Sequence, residues 1–199
     1  MPGAYGDLLG RYFELPSVPA LVMLPAPKAP FVATRITCLP DQLGMKQEIP
    51  PEDAFVVTLH LAGVGHHELW VRGRPAVVRG YAPGAISIVD LRDEVASYLG
   101  SPLDALHFYM PRALVDAVTD AAGLARVSGI ACPAGLVDPV MGNLGAAVLA
   151  LLDGPRRASS ATSEHLAIAI CAHLVHRFGN NARADAAPPP IARRLRRMH

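Results

Sequence analysis

The stretch DALHFYMPR, Asp104 to Arg112, decides how the chain is organised. Leu106, Phe108 and Met110 alternate with His107 and Tyr109, the period of a strand with one buried face. Pro111 then stops the strand and suits the first position of a helix, where its missing N–H costs nothing. The run therefore predicts a strand that hands the chain to a helix, and catalysis is not needed to explain its His-Phe-Tyr core.

Downstream, the apolar period changes from two to nearly four. PRALVDAVTDAAG puts Leu114, Val115 and Val118 on one face and Asp116 and Asp120 away from it, with Gly123 as the stop. A second helix starts at Asp138-Pro139 and carries Val140, Leu144, Val148, Leu151 and Leu152 to Gly154-Pro155. A third runs from about Ser163 to Phe178, capped by Thr162 or Ser163, with Leu166, Ile170, Leu174 and Phe178 spaced by fours. Gly179 ends it.

Upstream, short β-type runs are punctuated by Gly and Pro: FVATRITC from Phe31, FVVTLHL from Phe55, ELWVRGRPAVV from Glu68 and AISIVDL from Ala85. The third folds back at Arg72-Gly73-Arg74, where Gly73 is free to take positive φ. Strands at roughly ten-residue spacing with no helices between them predict an antiparallel sandwich or small barrel. The first thirty residues hold Pro16, Pro19, Pro25, Pro27 and Pro30, so a short helix over Asp7–Glu14 and an irregular wrapping arm are expected there. Four regions result: an arm (1–30), a β domain (31–110), a helical dimerisation region (111–179), and a linker with a basic tail (180–199).

Composition narrows the function. Hydrophobic residues make up 51% of the 199 and charged residues 18%, enough for a real core. The 18 basic and 17 acidic residues leave +1, which argues against a broad nucleic-acid clamp. Arginines do gather in ARRLRR near the end, where they would give salt-sensitive attraction without sequence reading. Cys38, Cys132 and Cys171 form no C-x-x-C pair and read as free thiols in a reducing cytosol. No secretory leader is visible, and the most apolar run is broken by Asp138, Pro139 and Asn143, so a cytoplasmic protein without a membrane span is expected.

The candidate chemistry centres on histidine. His60, His66, His67 and Glu68 invite a metal reading, but His66, His67 and Glu68 are contiguous, and neighbours on a strand point to opposite faces. Three ligands on one side cannot come from that run, so no metal or cofactor is expected. His107 and Tyr109 share a face and serve packing, a ligand pocket, or a base with a phenolic partner. Trp70 belongs to the core or floors a cavity. The candidate pocket is thus Trp70, His60, His107 and Tyr109, with no catalytic residue assigned. No G-x-S-x-G elbow, P-loop or G-x-G-x-x-G occurs. On the third helix the row Leu166, Ile170, Leu174 either packs on the domain or, with His173 and Arg177 beside it, pairs with a twin helix as a dimer interface.

DLRDEVASYLGSPLDALHFYMPRALVDAV, and the later GLVDPVMGNLGAAVLALLDG and EHLAIAICAHLVHRFG, resemble the N-terminal half of transcriptional regulators of the AraC family. The resemblance covers about Phe31 to Gly179. It implies an α+β fold, a cupin-like antiparallel β-barrel followed by about three α-helices, acting as a ligand-sensing and dimerising domain without turnover. The partners it implies are a small-molecule effector, a second copy of the chain, and DNA only through a helix-turn-helix region that this sequence does not contain. The rival reading is a small metal-dependent cupin-type enzyme using His60, His66 or His67.

Overall fold

The computed structural model describes residues 3–27, 29–153 and 160–181. The chain runs α1 (Gly6–Tyr12), β1 (Ala20–Ala26), β2 (Ala29–Cys38), β3 (Gly44–Met45), β4 (Ala54–His60) and β5 (Val64–Val71). It continues through β6 (Arg74–Tyr81), β7 (Ala85–Asp90), β8 (Val95–Leu99), β9 (Leu103–Pro111) and α2 (Arg112–Ala121). Then come β10 (Val127–Ile130), β11 (Leu136–Val137), α3 (Pro139–Leu152), α4 (Ser160–Phe178) and β12 (Gly179–Asn181).

Two antiparallel sheets face each other, one ordered β1-β2-β9-β4-β7-β11 and the other β3-β8-β5-β6, while β10 and β12 pair separately. The fold is α+β, as the sequence predicts. β9 lies between β2 and β4, so both of its edges are hydrogen-bonded. Both of its faces are also covered. Leu106, Phe108 and Met110 pack with Phe55, Val57 and the helical residues Val115, Val148, Ile170 and Leu174 in one apolar cluster. His107 and Tyr109 point the other way, toward the second sheet, and are also buried. The expectation of a single buried face is therefore corrected: a central strand under a helical layer has no solvent side.

The handover occurs at Pro111, but Pro111 is the last residue of β9 and the extended N-cap of α2 (φ −65°, ψ 148°), not its first helical residue. Arg112 secures it: its guanidinium lies 4.3 Å over the Phe55 ring and pairs with Asp53 at 2.9 Å and with Asp90. The Arg72-Gly73 turn also forms, with φ of +50° and +69°. Gly145 brings α3 close to the sheet, because a methyl there would collide with Leu59 of β4.

Four expectations need correction. The arm is not irregular throughout: β1 pairs with β2 as an edge strand, and Pro25 sits in a register shift between Met23 and Ala26, where no ladder donor is required. The region 111–179 is not purely helical, because β11 joins the six-stranded sheet beside β7 and β10 pairs with β12. The third helix starts at Ser160, ahead of its expected caps. Lastly, the row proposed for a dimer is spent within the chain: Ile170 and Leu174 are fully buried against the sheet and Leu166 packs beside them. The stop at Gly154-Pro155 and the basic tail lie outside the described residues. Among the described residues no helix is long and apolar enough to cross a membrane.

His173 and Arg177, the other two residues assigned to that interface, are tied to α3. Asp138, fully buried, accepts hydrogen bonds from the backbone N–H groups of Val140 (2.9 Å) and Met141 (3.0 Å). Its other oxygen meets His173 Nε2 at 3.0 Å and Arg177 Nε at 3.5 Å. One carboxylate thus caps α3 and ties it to α4. Burial works to raise the Asp138 pKa, but the Met141 N–H and His173 outweigh it, and the net direction is down. A depressed carboxylate stabilises the fold above its unfolded pKa of about 3.9 and loses that contribution as pH falls through its folded value. Asp138→Ala is expected to cost about 2–4 kcal/mol of unfolding free energy in urea titrations at pH 7, more than an exposed cap would.

Candidate ligand-binding site

The register places polar side chains in a line across the inner face of the large sheet. Thr34 of β2 opposes His107 of β9, His107 opposes Thr58 of β4, and Thr58 opposes Ser87 of β7. His60 lies two residues along β4 on the same face. Facing it from the second sheet are His67 of β5 and Tyr81 of β6. The space between has about 60 Å³ in which the centre of a water-sized body can sit, inside a hollow of about 710 Å³ that includes its solvent-open mouth. His60, His67, His107 and Tyr81 line it, with Leu9 and Phe13 from the α1 segment at one end. It is a small, part-open pocket between the two sheets.

The rings are packed edge and face. His60 stacks on Tyr81 with centroids 4.1 Å apart and planes 13° apart; His67 meets Tyr81 at 5.6 Å and His60 at 6.4 Å. Phe13 closes on His107 at 5.5 Å. Burial drives all three imidazoles toward the neutral form, and the neighbouring histidines add to it: His60 and His67 fall to about 4, His107 to about 3. Both ring nitrogens of His60, and Nδ1 of His67 and of His107, are buried without a hydrogen-bond partner. Each such group costs roughly 1–3 kcal/mol unless something supplies the bond.

Two of the four residues expected in the pocket, His60 and His107, are there. Trp70 is not. It stands on the outer face of β5, donating its indole N–H to Glu68 (2.8 Å), which also holds His66 (2.9 Å). His66, Glu68 and Trp70 alternate with the inward His67 and Leu69, so the predicted division of neighbouring side chains between faces is what occurs. Tyr109 shares the inner face with His107 but is taken by structure: its hydroxyl donates to Glu52 (2.9 Å) and its ring packs on Tyr5. Burial and the Glu52 carboxylate push its pKa up.

The sequence reading missed Tyr81 and Lys46, and named His67 only for the rival metal reading, not for the pocket. Lys46 lines the same space with its side chain 1% exposed, and its Nζ meets Glu14 Oε2 at 3.0 Å. A signal for it did exist: Lys28 and Lys46 are the two lysines among 18 basic residues, so an ammonium in place of a guanidinium is unusual in this chain.

The histidines do not form a metal-binding set. No carboxylate is among the described lining residues, and no three His, Cys, Asp or Glu side chains among the described residues stand close enough to hold an ion. Glu68, the carboxylate nearest in sequence, faces the other side of the sheet with His66 and Trp70.

No protein-family model matches the chain, and no curated protein sequence matches it. The resemblance to AraC-type regulators accordingly stands on the sequence stretches alone. Comparison with solved structures returns cupin barrels at low similarity. The cupin domain of Cnp3 from Schizosaccharomyces pombe is 12% identical, with a TM-score of 0.36 over 53% of this chain and 71% of that one. A cupin 2 conserved barrel domain protein from Salinispora arenicola is 16% identical, with a TM-score of 0.34 over 50% and 81%. Ectoine synthase from P. lautus is 14% identical, with a TM-score of 0.34 over 48% and 63%.

The depressed histidines predict a pH profile. Unfolded imidazoles take up protons near pH 6.5 while the folded ones stay neutral, so stability is complete above about 6.5 and declines as pH falls toward 4. Each histidine contributes at most about 1.4 kcal/mol per pH unit within that window. Urea titrations between pH 7 and 5 should show this decline, and His107→Gln should make it shallower. Ring NMR signals of His60 and His107 titrating near pH 6.5 would contradict the assignment.

Proposed function

We propose that this chain is the ligand-sensing domain of an AraC-type transcriptional regulator, recognising a small molecule between its sheets without converting it. The observation that carries the reading is the part-open cavity whose three neutral histidines keep unpartnered nitrogens. Such a site gains from a ligand that donates to one ring nitrogen and accepts from another. No carboxylate is among its described lining residues. The sequence resemblance supplies the regulatory role, with DNA reached only through a helix-turn-helix region and a second copy as partner. Self-pairing through α4 would use its outward side, where Ile168, Ala172 and His176 are exposed.

A second reading, a metal-dependent cupin-type enzyme, draws on His60, His67 and His107 lining one cavity, although no three His, Cys, Asp or Glu side chains among the described residues stand close enough to hold an ion. Metal analysis of the purified protein separates the two: well below one equivalent of iron, zinc or manganese is expected, and a stoichiometric metal would reverse the ranking. Screening small molecules by thermal unfolding should give concentration-dependent rises in Tm, lost in His60→Phe, as binding to the native state requires. Light scattering at tens of micromolar should report a dimer; a strict monomer removes that part of the reading.

A further inference from the structure

Among the described residues, Lys46 is the one charged group whose side chain is both buried and part of the cavity wall. Its stated partner, Glu14, lies outside: the Glu14 side chain is 59% exposed and is not among the lining residues. Glu14 also holds a left-handed backbone, φ +62°, at the end of α1. An ammonium has three donors, and one of them accounts for the Glu14 contact. From the large sheet His60, His107, Thr58 and Ser87 line the same cavity, and beside Lys46 on its own sheet are His67 and Ser97, whose backbone carbonyl accepts from the Lys46 N–H at 2.7 Å; the three histidines are neutral at physiological pH. An anion entering this space therefore meets a buried cation and hydrogen-bond donors, with no negative side chain among the described lining to repel it. The rest of the wall is apolar and aromatic, with Leu69, Leu103, Phe13 and the stacked His60–Tyr81 pair.

From this arrangement we infer that the cavity takes a small organic carboxylate: its charged end lies on Lys46, displacing or sharing Glu14, and its apolar body lies against the ring cluster. Polar atoms on that body satisfy the idle nitrogens of His60 and His107. This rests on the cavity being a ligand site, and it specifies the ligand's chemical class. Charge-assisted bonds at a buried cation are about twice as strong as neutral ones, so the carboxylate must outrank its uncharged amide.

Calorimetry on the full chain with benzoate, phenylacetate and hexanoate, each beside its amide, tests the inference. The expected result is that carboxylates bind about tenfold more tightly than amides, with the preference abolished in Lys46→Met. Glu14→Gln, which removes the competing carboxylate at an exposed position, should tighten carboxylate binding about threefold or more while leaving the amides unchanged. Ring signals of His60 and His107 should move with the carboxylates. Equal affinity for acids and amides, or a preference that survives in Lys46→Met, overturns the Lys46 anchor while leaving the cavity as a neutral-ligand site. If Lys46→Met fails to fold, an unchanged carboxylate affinity in Glu14→Gln overturns it instead. Binding of neither series to the wild-type chain overturns both this inference and the sensing reading.

Discussion

Everything in this molecule depends on one strand being buried on both sides. β9 has a neighbour at each edge and a layer on each face, so its side chains are sorted only by which layer they meet. Leu106, Phe108 and Met110 meet the helices, where non-directional apolar burial is worth about 1.5–3 kcal/mol for each large side chain. His107 meets the cavity, where the same burial is a cost that only a partner can offset. The stability of the helical layer and the chemistry of the cavity are thus two faces of one backbone segment.

The fold was legible where periodicity was unbroken. The alternation in DALHFYMPR located β9 and the start of α2; Asp138-Pro139 located the start of α3; Gly73 located the β5–β6 turn. The elements that escaped had weak local signals. β8 follows the charged run Asp90-Leu-Arg-Asp-Glu94, which reads as a loop, and is only five residues long. β1 contains a proline, which an edge strand tolerates at a bulge but which a sequence reading counts as a breaker. β10, β11 and β12 are two to four residues each and exist because the ends of longer elements bring them together.

The site was half legible, for a related reason. Strand period correctly separated His66 from His67 and set His107 opposite the apolar face of β9, yet it expected one buried face only and cannot say what lies opposite. Trp70 and Tyr109 were assigned to the pocket by chemistry alone. Trp70 belongs to the wrong parity of β5, and Tyr109 is claimed by Glu52, 57 residues away in sequence. Tyr81 and Lys46 enter the site through sheet-to-sheet packing, which no local pattern encodes. The helical row on α4 shows the same ambiguity: spacing by fours demands an apolar partner without specifying whether that partner is a twin helix or the chain's own sheet.

The double-sided burial of β9 has a mechanical consequence. A body wedged against His107 pushes on the backbone whose opposite face carries Phe108 and Met110, and the interior is too dense to absorb that push locally. Occupancy should therefore register as slower hydrogen exchange in the amides of α2 and α4, though neither helix touches the cavity. The pleat of a single strand would relay the presence of a guest to the far side of the protein.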